Sequence, residues 1–580
     1  MNIFKILKED VCKSASKLSA KDDLLSNIVI EIPKNSLNGD VSTNAAMLLA
    51  SELKSNPNQL AIRLKNDLSK LPYVAHIEIA NPGFINFTLK SEIWHSYIKQ
   101  ILSDKKDFSS IELDIDIQHK VNIEYVSANP TGPLHIGHAR CAVYGDVLAR
   151  LLKKCNYDSV VKEYYINDAG AQIQDLISTV MLRYQEIVTG VKAVIPNNLY
   201  PGEYLVEVAR ALVDKHSDNL NKISKDQANA IVKDFTIDTM MKSIKLDLNK
   251  LGVHHEVFVS EQELHDSNKL NAAIKDITKL GLVYTGKLPA PKGKGNENWD
   301  SRNQLLFKST EFGDDQDRPL QKSDNSWTYF ASDIAYMYDK IERGFDYVIY
   351  ILGADHSGYV ERIKAITKAI SKGKVSCDIK ICQLVNIIRN GSVEKMSKRI
   401  GNFITLDSVL EEVDKDALRF MMLTRKNDSV IDFDLDLIKE QSKDNPVFYV
   451  QYAYVRTVSI LSKAKETAQE AYHKFINDQY DLELLSSEDE IGLIKSLASW
   501  QKILESAAKY FEPHRIAFYL MNLAATFHSL WNLGKESNDY RFIVQDDDDL
   551  TSARLALVMA VQKTMFSGFE IIGVNPVEKM

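Results

Sequence analysis

The chain has only five cysteines in 580 residues (Cys12, Cys141, Cys155, Cys377 and Cys382), and none forms a C-x-x-C pair. That spacing excludes zinc-ribbon and dithiol motifs. An odd number of thiols in a long chain fits a reducing compartment. No apolar run reaches the roughly 18 residues that a bilayer span needs. The opening MNIFKILKEDVCKSASKL is amphipathic, contains acids and lacks the apolar core of a secretory signal. These absences predict a cytoplasmic protein with no membrane contact. Positive charge is not in excess either: 71 Lys and Arg stand against 79 Asp and Glu, for a net charge of −8. A general nucleic-acid coat needs a positive field, so the balance argues against one, although not against a single local basic face. Hydrophobic residues at 45% and charged residues at 26% exclude a mainly disordered chain, a collagen and a disulfide scaffold. At about 150 residues per domain, the length suggests roughly three or four domains.

The first ~110 residues read as a small α+β unit. IVIEIP (28–33) and FINFTL (84–89) alternate like strands. Between them lie two helical stretches split at Asn56-Pro57, with Ser42 or Thr43 placed to cap the first. The polar segment 104–120 reads as a linker. VNIEYVS (121–127) is a strand, NPTGP (129–133) a turn, and the stretch from Gly137 a helix with Val143, Val147, Leu148, Leu151 and Leu152 on one face. A second strand, SVVKEYYI (159–166), follows. This order predicts a parallel α/β sheet. Residues 172–250 read as a helical insertion, 289–300 as a loop, and YVIYIL (347–352) as a buried parallel strand. Beyond ~440 the pattern is helical, with Leu493, Ile494, Leu497 and Trp500 on one stripe and Ile516, Tyr519, Leu520 and Leu523 on another. Asp546 to Asp549 read as a solvated loop, and no internal repeat is present.

Two short motifs carry chemistry. His135-Ile136-Gly137-His138 sits at a helix entrance after a strand and a turn. Amide donors and the helix dipole favour anions there. Gly137 leaves room for a close ligand such as a purine face. The second motif, Lys395-Met396-Ser397-Lys398-Arg399 followed by Ile400-Gly401-Asn402, puts three cations within five residues. That composition suits a loop that closes on phosphates, where an ammonium neutralises the charge building on a leaving pyrophosphate.

In this order the two motifs resemble the paired signatures of class I aminoacyl-tRNA synthetases. The surrounding sequence is similar to that of arginyl-tRNA synthetases: VNIEYVSANPTGPLHIGHARCAVYGDVLARLL, YYINDAGAQI (164–173), residues 306–336 and GADHSGY (353–359). NGDVSTNAAMLLA and IANPGFINFTL resemble that family's additional N-terminal domain, and KDALRFMMLTR, DNPVFYVQYAYVR and EPHRIAFYLMNLAATFHSLWN its C-terminal portion. Cys141, Met337 and Ile400 depart from the family's usual residues, and none of them removes a group needed for chemistry.

The resemblance implies an α/β fold. It implies a Rossmann-type parallel-sheet catalytic domain (111–440), an α+β N-terminal domain that contacts tRNA (1–110) and an all-α anticodon-binding domain (441–580). It implies a monomeric arginine–tRNA ligase that uses L-arginine, ATP with Mg2+ and the tRNA for arginine, with no structural metal held by the protein. His135 and His138 would contact the ATP phosphates and ribose, with Gly137 between them. Lys395, Ser397 and Lys398 would close on the nucleotide. Glu124 and Asp333 would pair with the guanidinium and Tyr329 would pack on its plane. Asn129, with the backbone of Ser127 and Ala128, would hold the amino-acid end, with His138 and His356 nearby. Tyr452 would stack on an anticodon base, and Met580 would lie near the anticodon loop.

Three other readings compete with this one. A small-molecule nucleotidyltransferase shares H-x-G-H, but is usually much shorter. A non-catalytic RNA-binding relative would be expected to lose His135, His138 or Lys398. A class I ligase for another amino acid would not call for a carboxylate-lined pocket.

Overall fold

The computed structural model describes residues 2–18, 21–33, 35, 38–103, 120–157, 159–288, 302–394 and 404–580. The expected loop 289–300 and nearly all of the expected linker lie outside these residues. So do Lys395, Ser397, Lys398 and Ile400.

The chain opens with the helix Ile3–Ser16, whose Ile3, Phe4, Leu7 and Val11 are buried. Four strands follow: β1 (Ile30–Glu31), β2 (Val41–Thr43), β3 (Val74–Ala80) and β4 (Phe84–Leu89). They form an antiparallel sheet in the order β1-β2-β4-β3. The two expected helices are Ala45–Leu53 and Pro57–Leu68. Asn56 caps the second by accepting from Asn58 N and Gln59 N, with proline at its first position. At the start of the first, Ser42 plays no such part, but Thr43 Oγ1 accepts from Ala45 N (3.4 Å), the helix's first N–H. Both residues belong to β2, and Asn44 holds the cap position. The expected strand 28–33 shrinks to two residues, because β1 pairs only with the three-residue β2.

The central domain begins with β5 (Lys120–Tyr125), the helix Ile136–Lys154, β6 (Ser159–Ile166) and β7 (Val257–Ser260). Between β6 and β7 lies a helical insertion, Ala171–Thr189, Tyr204–His216 and Lys225–Lys250. Next come β8 (Val283–Gly286), β9 (Gln304–Phe307), β10 (Arg318–Pro319) and the helix Tyr329–Glu342. The domain ends with β11 (Tyr347–Gly353), β12 (Ser376–Cys382), β13 (Val385–Arg389), β14 (Ser392–Val393) and β15 (Ile431–Asp434). The main sheet has five parallel strands in the order β12-β11-β5-β6-β7. The chain moves from β5 to one side through β6 and later returns to the other through β11. The crevice at the carboxyl ends of β5 and β11 is therefore the switch point where α/β sheets bind ligands.

The Ile136–Lys154 helix is more buried than an amphipathic surface helix. Val143, Val147, Leu148, Leu151 and Leu152 are fully covered, and Arg140, Cys141 and Asp146 on other faces are also buried. Sheet and C-terminal domain pack on opposite sides of it, so both faces need partners. At that junction Arg419 is buried. Its guanidinium donates to Asp146 Oδ2 (2.7 Å), to the Leu251 carbonyl (3.2 Å) and to the Ile572 carbonyl (3.0 Å).

From Pro446 onward the chain is helical, ending in the 25-residue helix Asp548–Ile572. That helix is long and apolar enough to cross a membrane, yet 72% of its most apolar window is buried within the protein. Asp546 to Asp549 do not form the expected loop throughout. Asp547 caps this helix through Leu550 N, and Asp548 and Asp549 lie in its first turn, where negative charge meets the positive end of the helix dipole.

Candidate active site

The first half of the site follows from a helix start. His135 is the N-cap of Ile136–Lys154. Its Nδ1 accepts from Gly137 N (3.2 Å), and His138 Nδ1 accepts from His135 N (3.2 Å). The two rings stack with centroids 3.7 Å apart. An Nδ1 that accepts leaves the proton on Nε2, so both imidazoles are Nε2–H donors at the positive end of a helix. A Cβ on residue 137 would lie 3.1 Å from the His135 ring, so glycine is what lets the histidines close into this reciprocal cap.

Residues that follow the second motif reach the first. Thr405 bridges to His135, and Leu406 N donates to the Leu134 carbonyl (2.8 Å).

The second half of the site is acidic. Parallel register sets Glu124 on β5 beside Glu163 on β6 and Tyr350 on β11. Two neighbouring carboxylates in a buried sheet need a cation. Lys340 supplies it: its ammonium is fully buried, 2.7 Å from Glu124 Oε2 and 3.6 Å from Glu163 Oε1. It lies over the rings of Tyr336 (4.4 Å) and Tyr350 (4.2 Å). Glu163 also accepts from Tyr336 (2.5 Å) and Arg343 (2.6 Å), which together with Lys340 hold its carboxyl below the usual range despite burial. The other Glu124 oxygen accepts from Ser127 Oγ (3.1 Å).

Asp333 lies two helical turns before Lys340 on the Tyr329–Glu342 helix, and its situation is the reverse. Among the described residues no hydrogen bond reaches its carboxylate. Burial, with the charges of Glu261 and Glu124 adding, pushes its pKa up to about 7. Glu261, buried at the start of the helix Glu261–Asp266, is raised too, mainly by burial. Its Oε1 lies 3.8 Å from His265 Nε2, while Oε2 has no partner among the described residues.

Other expected residues gather at the same end of β5. Val126 and Ser127 have positive φ (69° and 37°), so the chain turns sharply out of the strand. Ser127 Oγ accepts from Tyr165 N (3.0 Å), and the Ala128 carbonyl accepts from Tyr164 (2.7 Å). Asn129 Nδ2 donates to Gln172 Oε1 (2.7 Å), and Tyr204 of the insertion donates to the Thr131 carbonyl (2.5 Å). Tyr329, 45% exposed, opens its helix one turn before Asp333. Gly170, at φ +88°, gives the Tyr329 hydroxyl space: a Cβ there would meet it at 2.8 Å. His356 is exposed in the turn Ala354–Tyr359 after β11, 3.6 Å from Asp355.

In the C-terminal domain Tyr452 is exposed on the helix Pro446–Thr467 and stacks on Phe448 (5.8 Å). The Arg456 guanidinium lies 4.3 Å over its ring and donates to His528 Nδ1 (2.7 Å). Tyr454 is core. Met580 is exposed at the end of a tail fixed to this helix: Gln451 donates to the Asn575 carbonyl (2.9 Å) and accepts from Val577 N (3.0 Å).

Sequence reasoning missed Lys340, Glu163, Glu261 and Gln172. Tyr329, Asp333, Tyr336 and Lys340 recur at helical spacing, a stripe that marks Lys340 as facing the same way as Asp333. Glu163 had no such signal, since its neighbours come from other strands. Among the described residues no group of three or more His, Cys, Asp or Glu is placed to hold a metal ion.

Family models match the whole organisation: an arginyl-tRNA synthetase N-terminal domain over residues 5–89, a class I (R) tRNA synthetase catalytic domain over 97–439 and a DALR anticodon-binding domain over 450–580. The chain is 56% identical to arginine–tRNA ligases of Rickettsia bellii and Rickettsia felis, over 580 residues and the full length of both partners in each comparison. Among solved structures, a putative arginyl-tRNA synthetase from Campylobacter jejuni superposes with TM-score 0.71 at 30% identity, covering 85% of this chain and 100% of that one. The Thermus thermophilus arginyl-tRNA synthetase shares the fold with TM-score 0.74 at 19% identity, covering both chains fully. Matched along its whole length by these models and relatives, the chain belongs to the arginyl-tRNA synthetases, in the class I branch of the aminoacyl-tRNA synthetases.

Proposed function

We propose that the cleft at the carboxyl ends of β5 and β11 activates arginine with ATP, and that the C-terminal helices hold the tRNA that receives it. As a family member the chain is an arginine–tRNA ligase, with arginine, ATP and tRNA as substrates. The observation that carries the role assignment is Asp333, a half-buried carboxylate with no hydrogen-bond donor among the described residues. A planar guanidinium supplies the missing cation and paired N–H donors.

Tyr329 covers the guanidinium plane. Asn129, steadied by Gln172, and the backbone of Ser127 and Ala128 hold the amino-acid end. His356 lines the mouth. Glu124 contributes field, since Lys340 and Ser127 already hold its oxygens. The arginine carboxylate then attacks the α-phosphate of ATP, and pyrophosphate leaves. Positioning and stabilisation of phosphate charge supply the acceleration. His135 and His138 donate to the phosphates, and Gly137 admits the nucleotide. Lys395, Ser397 and Lys398 close on the pyrophosphate, while magnesium enters with ATP as part of the substrate complex.

The reading divides the chain into a tRNA-contacting domain (1–110), a catalytic domain (111–440) and an anticodon-reading domain (441–580). In the last, Tyr452 stacks on a base and Met580 lies beside the anticodon loop. The chain acts as a monomer in the cytoplasm.

ATP–pyrophosphate exchange tests the site. With tRNA present, arginine alone among the amino acids should support exchange. His138→Ala should lower the exchange rate by about 100-fold. Equal exchange by wild type and His138→Ala would remove the histidine pair from the chemistry.

A further inference from the structure

Tyr165 lies on β6, two residues beyond Glu163 and therefore on the same face of the sheet. Its ring stacks on Tyr336, with centroids 4.3 Å apart and planes at 25°. Its backbone N–H donates to Ser127 Oγ, which donates on to Glu124. Ring and backbone are thus fixed. The hydroxyl is different: it is buried and has no hydrogen-bond partner among the described residues.

The carboxylates of Glu261, Asp333, Glu124 and Asp168 all act on that hydroxyl electrostatically, Glu261 most strongly. Two of these are occupied. Glu124 is held by Lys340 and Ser127. Asp168 accepts from Ser260 Oγ (2.6 Å) and Gln262 N (2.9 Å). The other two keep capacity to accept: among the described residues Asp333 has no donor, and Glu261, although Ser332 and His265 reach its carboxylate, keeps Oε2 without a partner. Tyr336 shows what a buried phenol here does when its partner is protein, because its hydroxyl donates to Glu163 at 2.5 Å. Buried polar groups are nearly always paired. The buried Tyr165 hydroxyl and Glu261 Oε2, beside the half-buried Asp333 carboxylate, call for a polar occupant from outside.

We propose that Tyr165 is a specificity-determining residue of the arginine pocket, its hydroxyl oxygen accepting a guanidinium N–H that Asp333 leaves over. This rests on the reading of the Asp333 cleft as that pocket. A guanidinium carries five N–H donors in a plane, and one bidentate carboxylate takes two of them. An acceptor on a second side of the plane uses a third. A lysine ammonium concentrates its three donors at one point and gains less from acceptors spread around a plane.

Tyr165→Phe removes only the oxygen and keeps the stack and the strand. The arginine KM should rise about tenfold, equivalent to ~1.4 kcal/mol, with kcat within about twofold and the ATP KM unchanged. The melting temperature should hold or rise, because no intraprotein bond is lost. Asp333→Asn is measured in parallel. If Asp333→Asn raises the arginine KM and Tyr165→Phe does not, the pocket stands and the role of Tyr165 is overturned. If neither moves it, the pocket reading falls and takes the proposal with it. A drop in melting temperature for Tyr165→Phe with unchanged KM would make the hydroxyl structural and overturn the proposal as well.

Discussion

The two ends of the Tyr329–Glu342 helix treat charge in opposite ways. Near its carboxyl end Lys340 and Asp339 belong to a closed network: Lys340 with Glu124 and Glu163, Arg343 with Glu163 and Asp339. Near its amino end Asp333 is half-buried with no hydrogen-bond donor among the described residues. Same helix, same sheet, yet one end is paired and the other is not. A paired buried ion holds the domain in one arrangement, and breaking such a pair is costly. An unpaired one is a standing instability that a ligand of opposite charge relieves. The contrast separates scaffold from site: Lys340 is fully enclosed and paired, Asp333 half-buried and without a donor among the described residues.

The largest effect should come from opening the closed end. Lys340→Met strands Glu124 beside Glu163 and should lower unfolding stability by about 3–5 kcal/mol, as for a buried ion pair that loses one partner. Denaturant unfolding measures it, and a loss below about 1 kcal/mol would mean the network carries no load. The open end should respond with the opposite sign. Asp333→Asn should leave stability equal or raised at pH 8, while arginine affinity falls about 100-fold, or ~2.7 kcal/mol. Calorimetric titration with arginine, read beside a melt, checks both halves.

Titration sharpens the same contrast without mutation. Free Asp333 holds its proton up to about pH 7, above the ordinary aspartate value of 3.8. Its raised value means the folded, unliganded chain loses stability as pH rises between those two values, since the unfolded chain has already released the proton. A guanidinium binds the ionised form, so arginine affinity should rise about tenfold from pH 6 to pH 8, and binding near pH 7 should release a proton. A flat profile over that range would show that Asp333 does not meet the guanidinium. Glu163, held low by Lys340 and Arg343, should not contribute, because it stays ionised throughout.

The smallest expected effect lies on the RNA-reading surface. Tyr452 is already flanked by Phe448 and Arg456. Tyr452→Ala should therefore cost tRNA binding only ~1 kcal/mol, the low end for a base stack. Filter binding of tRNA at several salt concentrations tests this. The net charge of −8 makes non-specific affinity weak, and binding should fall as salt rises because phosphate contacts release counterions. Binding independent of salt would contradict a basic tRNA-contacting face.

Much of the fold was legible because it is local. The run YVIYIL and the alternation in SVVKEYYI are apolar enough to specify strands alone, and β11 and β6 follow them closely. Asn56-Pro57 starts a helix because proline fixes the backbone angle that a first turn needs. The histidine motif opens a helix as expected, one residue earlier than the periodicity alone suggested. Elements whose partners are distant were harder to read. The 28–33 run looks like a full strand and pairs for two residues, because β2 is short. The acidic run 546–549 looks like a loop and instead caps a helix whose apolar body begins just after it.

The sequence by itself determined the motifs, their order, the alternation of strand and helix, and the resemblance they carry, since all of these depend on residues close together in the chain. Only the tertiary structure decided which carboxylate is free. Glu124 and Asp333 look alike as sequence, and Glu163 is silent in it. Parallel register brings Glu124 beside Glu163, and the turn of one helix carries Lys340 between them while leaving Asp333 with no hydrogen-bond donor among the described residues. The charge state of a buried acid is set by desolvation and by neighbours a few ångströms away, and those neighbours come from β5, β6 and a helix some 200 residues further along the chain.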